Sequence, residues 1–403
     1  MHKTILIIGT YDTKDDELRY LEGVIRAQGG DVKTMDVSVL KDPITPTDFS
    51  KHDVSAAGDS SIEAAIALDD ENSAIQIMSL GASRLASKLY IAGEIHGVIL
   101  LGGSMGTDLA LDVCLALPIG VPKYIVSTIA FSPLLPPERI AADTQMILWA
   151  GGLYGLNSIC KASLSQAAGA VLGAAKAVEA PSSDKPMVGM TSFGKTTMKF
   201  MVSLKPELEK RGYEVAVFHP TGMGGRAFED LAAQGRFACV MDFATQELGN
   251  DLFGSSVSAG PNRLTGAGLN GTPQIIAPGC HDLIDVPGWQ QQDARWDGYE
   301  KHAHNRLLTS YVLTDDDRRK VALEHAERLK IAKGKSAFIM PYGGVHEWDR
   351  EGAPLYNPNG VREFGMAIKS ALTENVGFHE LDCHINDQEF VDEVLAIFDE
   401  WLS

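Results

Sequence analysis

Short apolar runs alternate with amphipathic stretches along this chain, and glycines stand where they meet. Residues 4–9 (TILIIG) form an almost continuous apolar run, the signature of a strand covered on both faces. A polar turn opens a helix that runs to about Ala27, Gly29 and Gly30 stop it, and residues 31–39 form the next strand. The second half repeats that order. A run at 187–191 leads through a polar turn into a helix ending near Arg211, then Gly212, then a strand at 213–218. The repeat predicts two similar α/β lobes, although residue identity between the halves is low.

Further strands are expected at 96–101, 123–129 and 145–149 in the first half, and at 237–241, 274–277 and 336–340 in the second. Helices are expected at 60–68, 73–91 (broken at Gly81), 157–179, 315–332, 361–372 and 387–402. The fold class is therefore α/β: two Rossmann-like three-layer lobes with mostly parallel sheets. The expected boundaries are residues 1–180 and 185–403, with the proline-flanked segment 181–186 as linker. Ligands of such sheets bind at the carboxyl ends of the strands.

Two glycine-rich turns stand out, GGSMGT at 102–107 and TGMGGR at 221–226. Each follows an apolar run and precedes a helix. Glycine lets the backbone approach a ligand, and a helix start aims unpaired N–H groups at it, so such a turn suits an anion. Two of them point to a protein that holds something phosphorylated. Asp12, Thr13 and Lys14 belong to the same sheet edge as the first turn. Asp12 or Thr13 either caps the helix or contacts a ribose or phosphate, with Lys14 supplying positive charge; Thr107 and Asp108 carry the same two readings. The segment GMTSFGKT at 189–196 formally matches the phosphate-loop pattern, and Asp242 ends an apolar run as a magnesium-holding acid would. That loop is poor in glycine, so the match is expected to be coincidental and Thr196 or Thr197 to cap the helix.

Composition narrows the partners. The 403 residues exceed one ordinary core. The net charge of −18 argues against nucleic acid or an anionic membrane as the main partner, while leaving room for a small anion. None of the five cysteines lies in a CxxC pair, which fits buried, reduced thiols. The apolar run at 5–8 is too short for a signal peptide, and no run reaches membrane-spanning length, so the cytoplasm is the expected location.

Polar candidates gather in the second half: Asp242, Glu247, Arg263, His281, Asp282, His302, His304, His346, Asp349, His384 and Asp387. The His302-x-His304 spacing binds metal only in an extended segment. Here the charged surroundings read as helical, where i and i+2 do not face each other, so no metal is expected.

Taken together, GTYDTK (9–14), LGGSMGT (101–107), PIGVPK (118–123), VST (126–128), GLNS (155–158), FHPTGMGGRA (218–227) and HINDQEF (384–390) resemble the ATP-binding family typified by the plant tobamovirus-resistance protein. The likeness spans essentially the whole chain. It implies two Rossmann-like lobes with ATP held mainly by the first; magnesium is an optional companion of the nucleotide. The implied nucleotide contacts are Asp12, Thr13, Lys14, Gly102, Gly103, Ser104, Met105, Gly106, Thr107 and Thr128. Met105 departs from the glycine common in that family, and Lys195 from an apolar residue. The resemblance implies a ligand class without a reaction.

The reading is thus an ATP-binding protein, expected to be a homo-oligomer and an enzyme, acting on a small anionic substrate between the lobes. That substrate would lie near Thr221, Gly222, Gly224, Gly225 and Arg226, with Asp242, Glu247, Asp282 and His304 as catalytic candidates. Two alternatives stay open: a ligand sensor without catalysis, and a metal-assisted hydrolase using Asp282 and His304.

Overall fold

The computed structural model describes residues 2–152, 154–179 and 184–402, apart from the side chains of Lys195 and Ala303. The expected linker residues Pro181, Ser182 and Ser183 lie outside the described residues. The chain divides into two compact units, residues 1–181 and 182–403.

Unit one runs β1 (Thr4–Gly9), α1 (Asp15–Ala27), β2 (Asp31–Asp36), α2 (Lys51–Ala57), α3 (Ile62–Ala67), α4 (Glu71–Ile91), β3 (Gly97–Gly102), α5 (Ser104–Ala116), β4 (Lys123–Ser127), β5 (Thr144–Leu148) and α6 (Ser158–Ala177). Its five strands form one sheet in the order β2-β1-β3-β4-β5, parallel throughout. Along β1, Leu6 and Ile8 enter a core with α4 and α5, whereas Ile5 and Ile7 enter the opposite core with α1 and α6. Period-two alternation with both faces covered explains why the run is apolar at every position.

Unit two runs β6 (Met187–Thr191), α7 (Gly194–Lys210), β7 (Glu214–Phe218), α8 (Met223–Ala233), β8 (Cys239–Asp242), α9 (Gln246–Leu252), α10 (Gly266–Asn270), β9 (Gln274–Ile276), β10 (Leu283–Pro287), β11 (Lys301–Ala303), β12 (Leu308–Val312), α11 (Asp315–Leu329), β13 (Ser336–Pro341), α12 (Pro358–Ala371), β14 (Gly377–Leu381) and α13 (Gln388–Leu402). A six-stranded parallel sheet has the order β14-β13-β9-β8-β6-β7. In both units the first strand lies between the second and third, the doubly wound arrangement that opens a crevice at the first and third strands' carboxyl ends.

Three expectations are corrected. Gly81 does not break α4; a Cβ there would lie 1.9 Å from the Val54 carbonyl oxygen, so glycine serves close packing of α4 on α2. Strands β10, β12 and β11 form an antiparallel sheet absent from the sequence reading. His302 sits on β11 in that sheet, so its segment is extended rather than helical. Among the described residues no helix is long and apolar enough to cross a membrane.

Candidate functional site

Unit one brings its two predicted turns to one pocket. β1 and β3 are neighbours, and their following helices α1 and α5 pack on opposite faces of the sheet. The pocket between them holds about 280 Å³ and is lined by Asp12, Thr13, Lys14 and residues 102–106, with Val39, Leu40, Glu71 and Ile75.

Asp12 does not cap α1. Its N–H donates to Ser38 Oγ at 3.1 Å, and its carboxylate accepts from the N–H groups of Leu40 and Lys41 at 3.3 and 3.1 Å. It thereby ties the segment after β2 to the pocket rim. Thr13 and Thr10 share a 3.0 Å hydroxyl contact, and the Lys14 ammonium stands 5.5 Å from the Trp149 ring centroid.

The two leading glycines of the turn at 102–107 have different jobs. A Cβ at Gly102 would meet Gly106 Cα at 2.5 Å, so that glycine is required by the turn itself. At Gly103 the nearest neighbour is Thr128 Oγ1, at an ordinary 3.7 Å, so its open side is free for a ligand. As first-turn residues of α5, Ser104, Met105 and Gly106 have N–H groups with no helical acceptor behind them. Thr107 faces inward: its hydroxyl donates to the Gly103 carbonyl and accepts from Ser127, both at 2.7 Å. Asp108 pairs with Arg139.

The formal phosphate-loop match looks different in three dimensions. Gly189 lies inside β6, where a Cβ would strike the Phe237 ring at 2.6 Å, and only Ser192 and Phe193 separate β6 from α7. The stretch is too short to wrap a phosphate. Thr197 contributes to the turn by accepting the Phe193 N–H at 2.7 Å.

Unit two has its own cleft of about 370 Å³ beyond the carboxyl ends of β6, β7 and β8. Phe193 and Thr196 follow β6, His219 and Thr221 follow β7, and Gln246 opens α9. The antiparallel sheet supplies Asp285 and Ser310, register partners whose side chains bond at 2.5 Å. The loop after β13 supplies Glu347 and Trp348, and His304 lies beside the Trp348 ring at 5.7 Å between centroids.

Of the second-half candidates, His304 and Thr221 reach this cleft. Asp242 and Glu247 lie instead in a closed ion cluster around Arg263, which is 0% exposed. Arg263 donates to Glu247 and to Glu229, both at 2.9 Å, and with two nitrogens to Asp242. Burial pushes the Glu247 carboxyl up to about 7, against the pull of Arg263.

Glu247 also corrects the expectation for the turn at 221–226. Its Oε1 accepts the Gly222 N–H, and a Cβ at Gly225 would lie 1.6 Å from its Oε2. The α8 N-terminus is filled by the protein's own carboxylate, where the sequence reading put an outside anion. Gly224 is fixed by packing, since its Cβ would meet the His219 carbonyl at 1.9 Å. Arg226 is half-buried on the first turn of α8.

Asp282 belongs to a second buried group. His346 Nε2 donates to both its oxygens at 3.1 Å, while His346 Nδ1 accepts the Trp348 N–H, which sets the imidazole tautomer. Arg318 stands 3.3 Å away. Burial opposes charge on Asp282, yet His346 and Arg318 outweigh it and hold the carboxyl below the usual range. Asp349 is tied into a neighbouring network by the Val345 N–H and His384, and Asp387 pairs with Arg350. Buried His281 is pushed down to about 3 by desolvation. Among the described residues no three His, Cys, Asp or Glu side chains are grouped as a metal ion requires.

Sequence reasoning missed Gln246, Asp285, Ser310 and Trp348. The one signal was an acid inside the apolar run 283–287, since a carboxylate in a buried strand must have a partner.

Two doubly wound α/β domains, each with a pocket beyond its strand ends, define the class of protein. The chain belongs to the family described as "Uncharacterised protein family (UPF0261)": the N-terminal domain matches residues 3–180 and the C-terminal domain residues 185–402. It is 51% identical to a UPF0261 protein of Brucella melitensis over 399 residues, 99% of this chain and 96% of that one. A UPF0261 protein of Clostridium tetani is 34% identical over 393 residues, 97% of this chain and 96% of its own. The ToMV resistance protein Tm-1(GCR237) of Solanum lycopersicum is 30% identical over 421 residues, which cover 98% of this chain and 55% of that protein.

Proposed function

We propose that unit one binds ATP at the β1/β3 crevice, and that the protein is a cytoplasmic enzyme using the nucleotide with a second small molecule bound by unit two. The observation that carries the nucleotide reading is the convergence of Lys14, the open face of Gly103 and the first turn of α5 on one pocket. Helix-start N–H groups and an ammonium together favour phosphate. Val39 and Ile75 offer an apolar wall for a base, and the carboxylates of Asp12 and Glu71 offer acceptors for ribose hydroxyls or an accompanying magnesium ion.

The test is Gly103→Val. The backbone there is extended (φ −76°, ψ −154°) and the nearest atom to a new Cβ is 3.7 Å away, so the fold tolerates the side chain while a phosphate cannot share its space. ATP affinity measured by calorimetry should fall at least ~10-fold, about 1.4 kcal/mol. Lys195→Ala, the control in the coincidental motif, should leave it unaltered. Unchanged affinity in Gly103→Val would remove the assignment, and a large loss in Lys195→Ala would move the nucleotide to unit two. ATP turnover dependent on an added metabolite pool separates an enzyme from a ligand sensor.

A further inference from the structure

We propose that the unit-two cleft binds a neutral polyhydroxylated molecule of monosaccharide size, a sugar or sugar alcohol, rather than an anion. The proposal rests on the reading that unit two holds the second small molecule, and it is independent of the nucleotide assignment.

The cleft combines aromatic walls with a polar floor. Phe193 and Trp348 line it from the loops after β6 and β13, and apolar ring faces suit the C–H faces of a pyranose or polyol. The floor is a set of paired donors and acceptors. Gln246 is 4% exposed, and its amide faces the Asp285 carboxyl, to which it hydrogen-bonds. An amide N–H₂ carries two donors, so with one turned to Asp285 the other is left for a ligand acceptor. Ser310 and Asp285 form a bonded pair beside it, and Thr196 and Thr221 add hydroxyls.

The acids of the site are held by partners within the protein. Burial raises the Asp285 carboxyl above its usual range, against the hydrogen bonds from Ser310 and Gln246. Glu347 is held at 3.2 Å by Lys199 and at 3.3 Å by Arg350, and it accepts from Asn386 at 3.0 Å. Burial lowers His219, with His304 adding to the effect, so that imidazole is neutral. Among the described side chains the lining contains no lysine or arginine. What remains among the described side chains is hydrogen-bonding capacity without a lysine or arginine to hold an anion. The volume of about 370 Å³ falls in the range of single small-ligand sites.

The experiment titrates the full-length protein with neutral hexoses, pentoses and hexitols, with hexose phosphates and choline alongside, by calorimetry and tryptophan fluorescence. At least one neutral probe should bind with an affinity insensitive to salt. Trp348→Ala should weaken it ~10-fold or more, and Gln246→Ala ~5-fold through loss of one hydrogen bond. Binding of choline or hexose phosphates alone, or of no neutral probe, overturns the proposal. So does unchanged affinity in either folded variant; if Trp348→Ala does not fold, Gln246→Ala decides. Sugar binding that persists in a protein with no ATP affinity would sink only the nucleotide reading.

Discussion

Replacing Glu247 by glutamine isolates one buried titration and decides whether this acid is structural. The folded carboxyl titrates near 7, against an ordinary 4.5, because burial disfavours its charge more than Arg263 favours it. A carboxyl with a raised folded pKa contributes its stability in full below the unfolded value and loses it as pH climbs through the folded one. The whole span corresponds to about 3 kcal/mol, of which roughly 2–3 kcal/mol falls between pH 5 and pH 8. Glutamine does not ionise, but its single acceptor must serve two donors, the Gly222 N–H and Arg263 Nε. That leaves a buried donor unmet, a pH-independent cost of ~1–3 kcal/mol. Wild type should therefore be the more stable at pH 5, and the gap should shrink by roughly 2–3 kcal/mol, closing or inverting, by pH 8. Urea unfolding of both proteins across that range, followed by tryptophan fluorescence, reads the difference, in which all other titrations cancel. Parallel stability curves would refute the argument and return Glu247 to the list of functional acids.

Two further substitutions test the packing that positions the pockets. Gly81→Ala places a methyl 1.9 Å from the Val54 carbonyl and must push α2 off α4; it should cost ~1–3 kcal/mol and lower the melting temperature in scanning calorimetry, whereas a neutral result would show that the helices yield freely. Asp282→Ala leaves the buried Arg318 and His346 without their carboxylate; chemical denaturation should show a loss of ~3–5 kcal/mol, and a loss below ~1 kcal/mol would mean that solvent reaches the cluster.

The unit-one pocket was readable because its parts are local. Thr13 and Lys14 follow one strand, and Gly103 to Gly106 follow its sheet neighbour, so strand order alone brings them together. The unit-two cleft was not readable, because its Asp285–Ser310 pair joins two strands of an antiparallel sheet that local patterning left unseen. The surroundings of two acids chosen there as catalytic were equally out of reach of the sequence: Asp242 and Glu247 meet Arg263 across 21 and 16 residues of chain.

Apolar periodicity and glycine placement thus settled the α/β class, the two related lobes and the helix starts. These depend on which face of an element is buried and where the backbone must turn, and both are written in neighbouring residues. Whether a given acid meets solvent, a ligand or an arginine depends on contacts distant in sequence. Gly225 looked like part of an anion cradle until folding placed the Glu247 carboxylate beneath it. A buried charge is tolerable only with its partner in place, and only the tertiary structure supplies the partner.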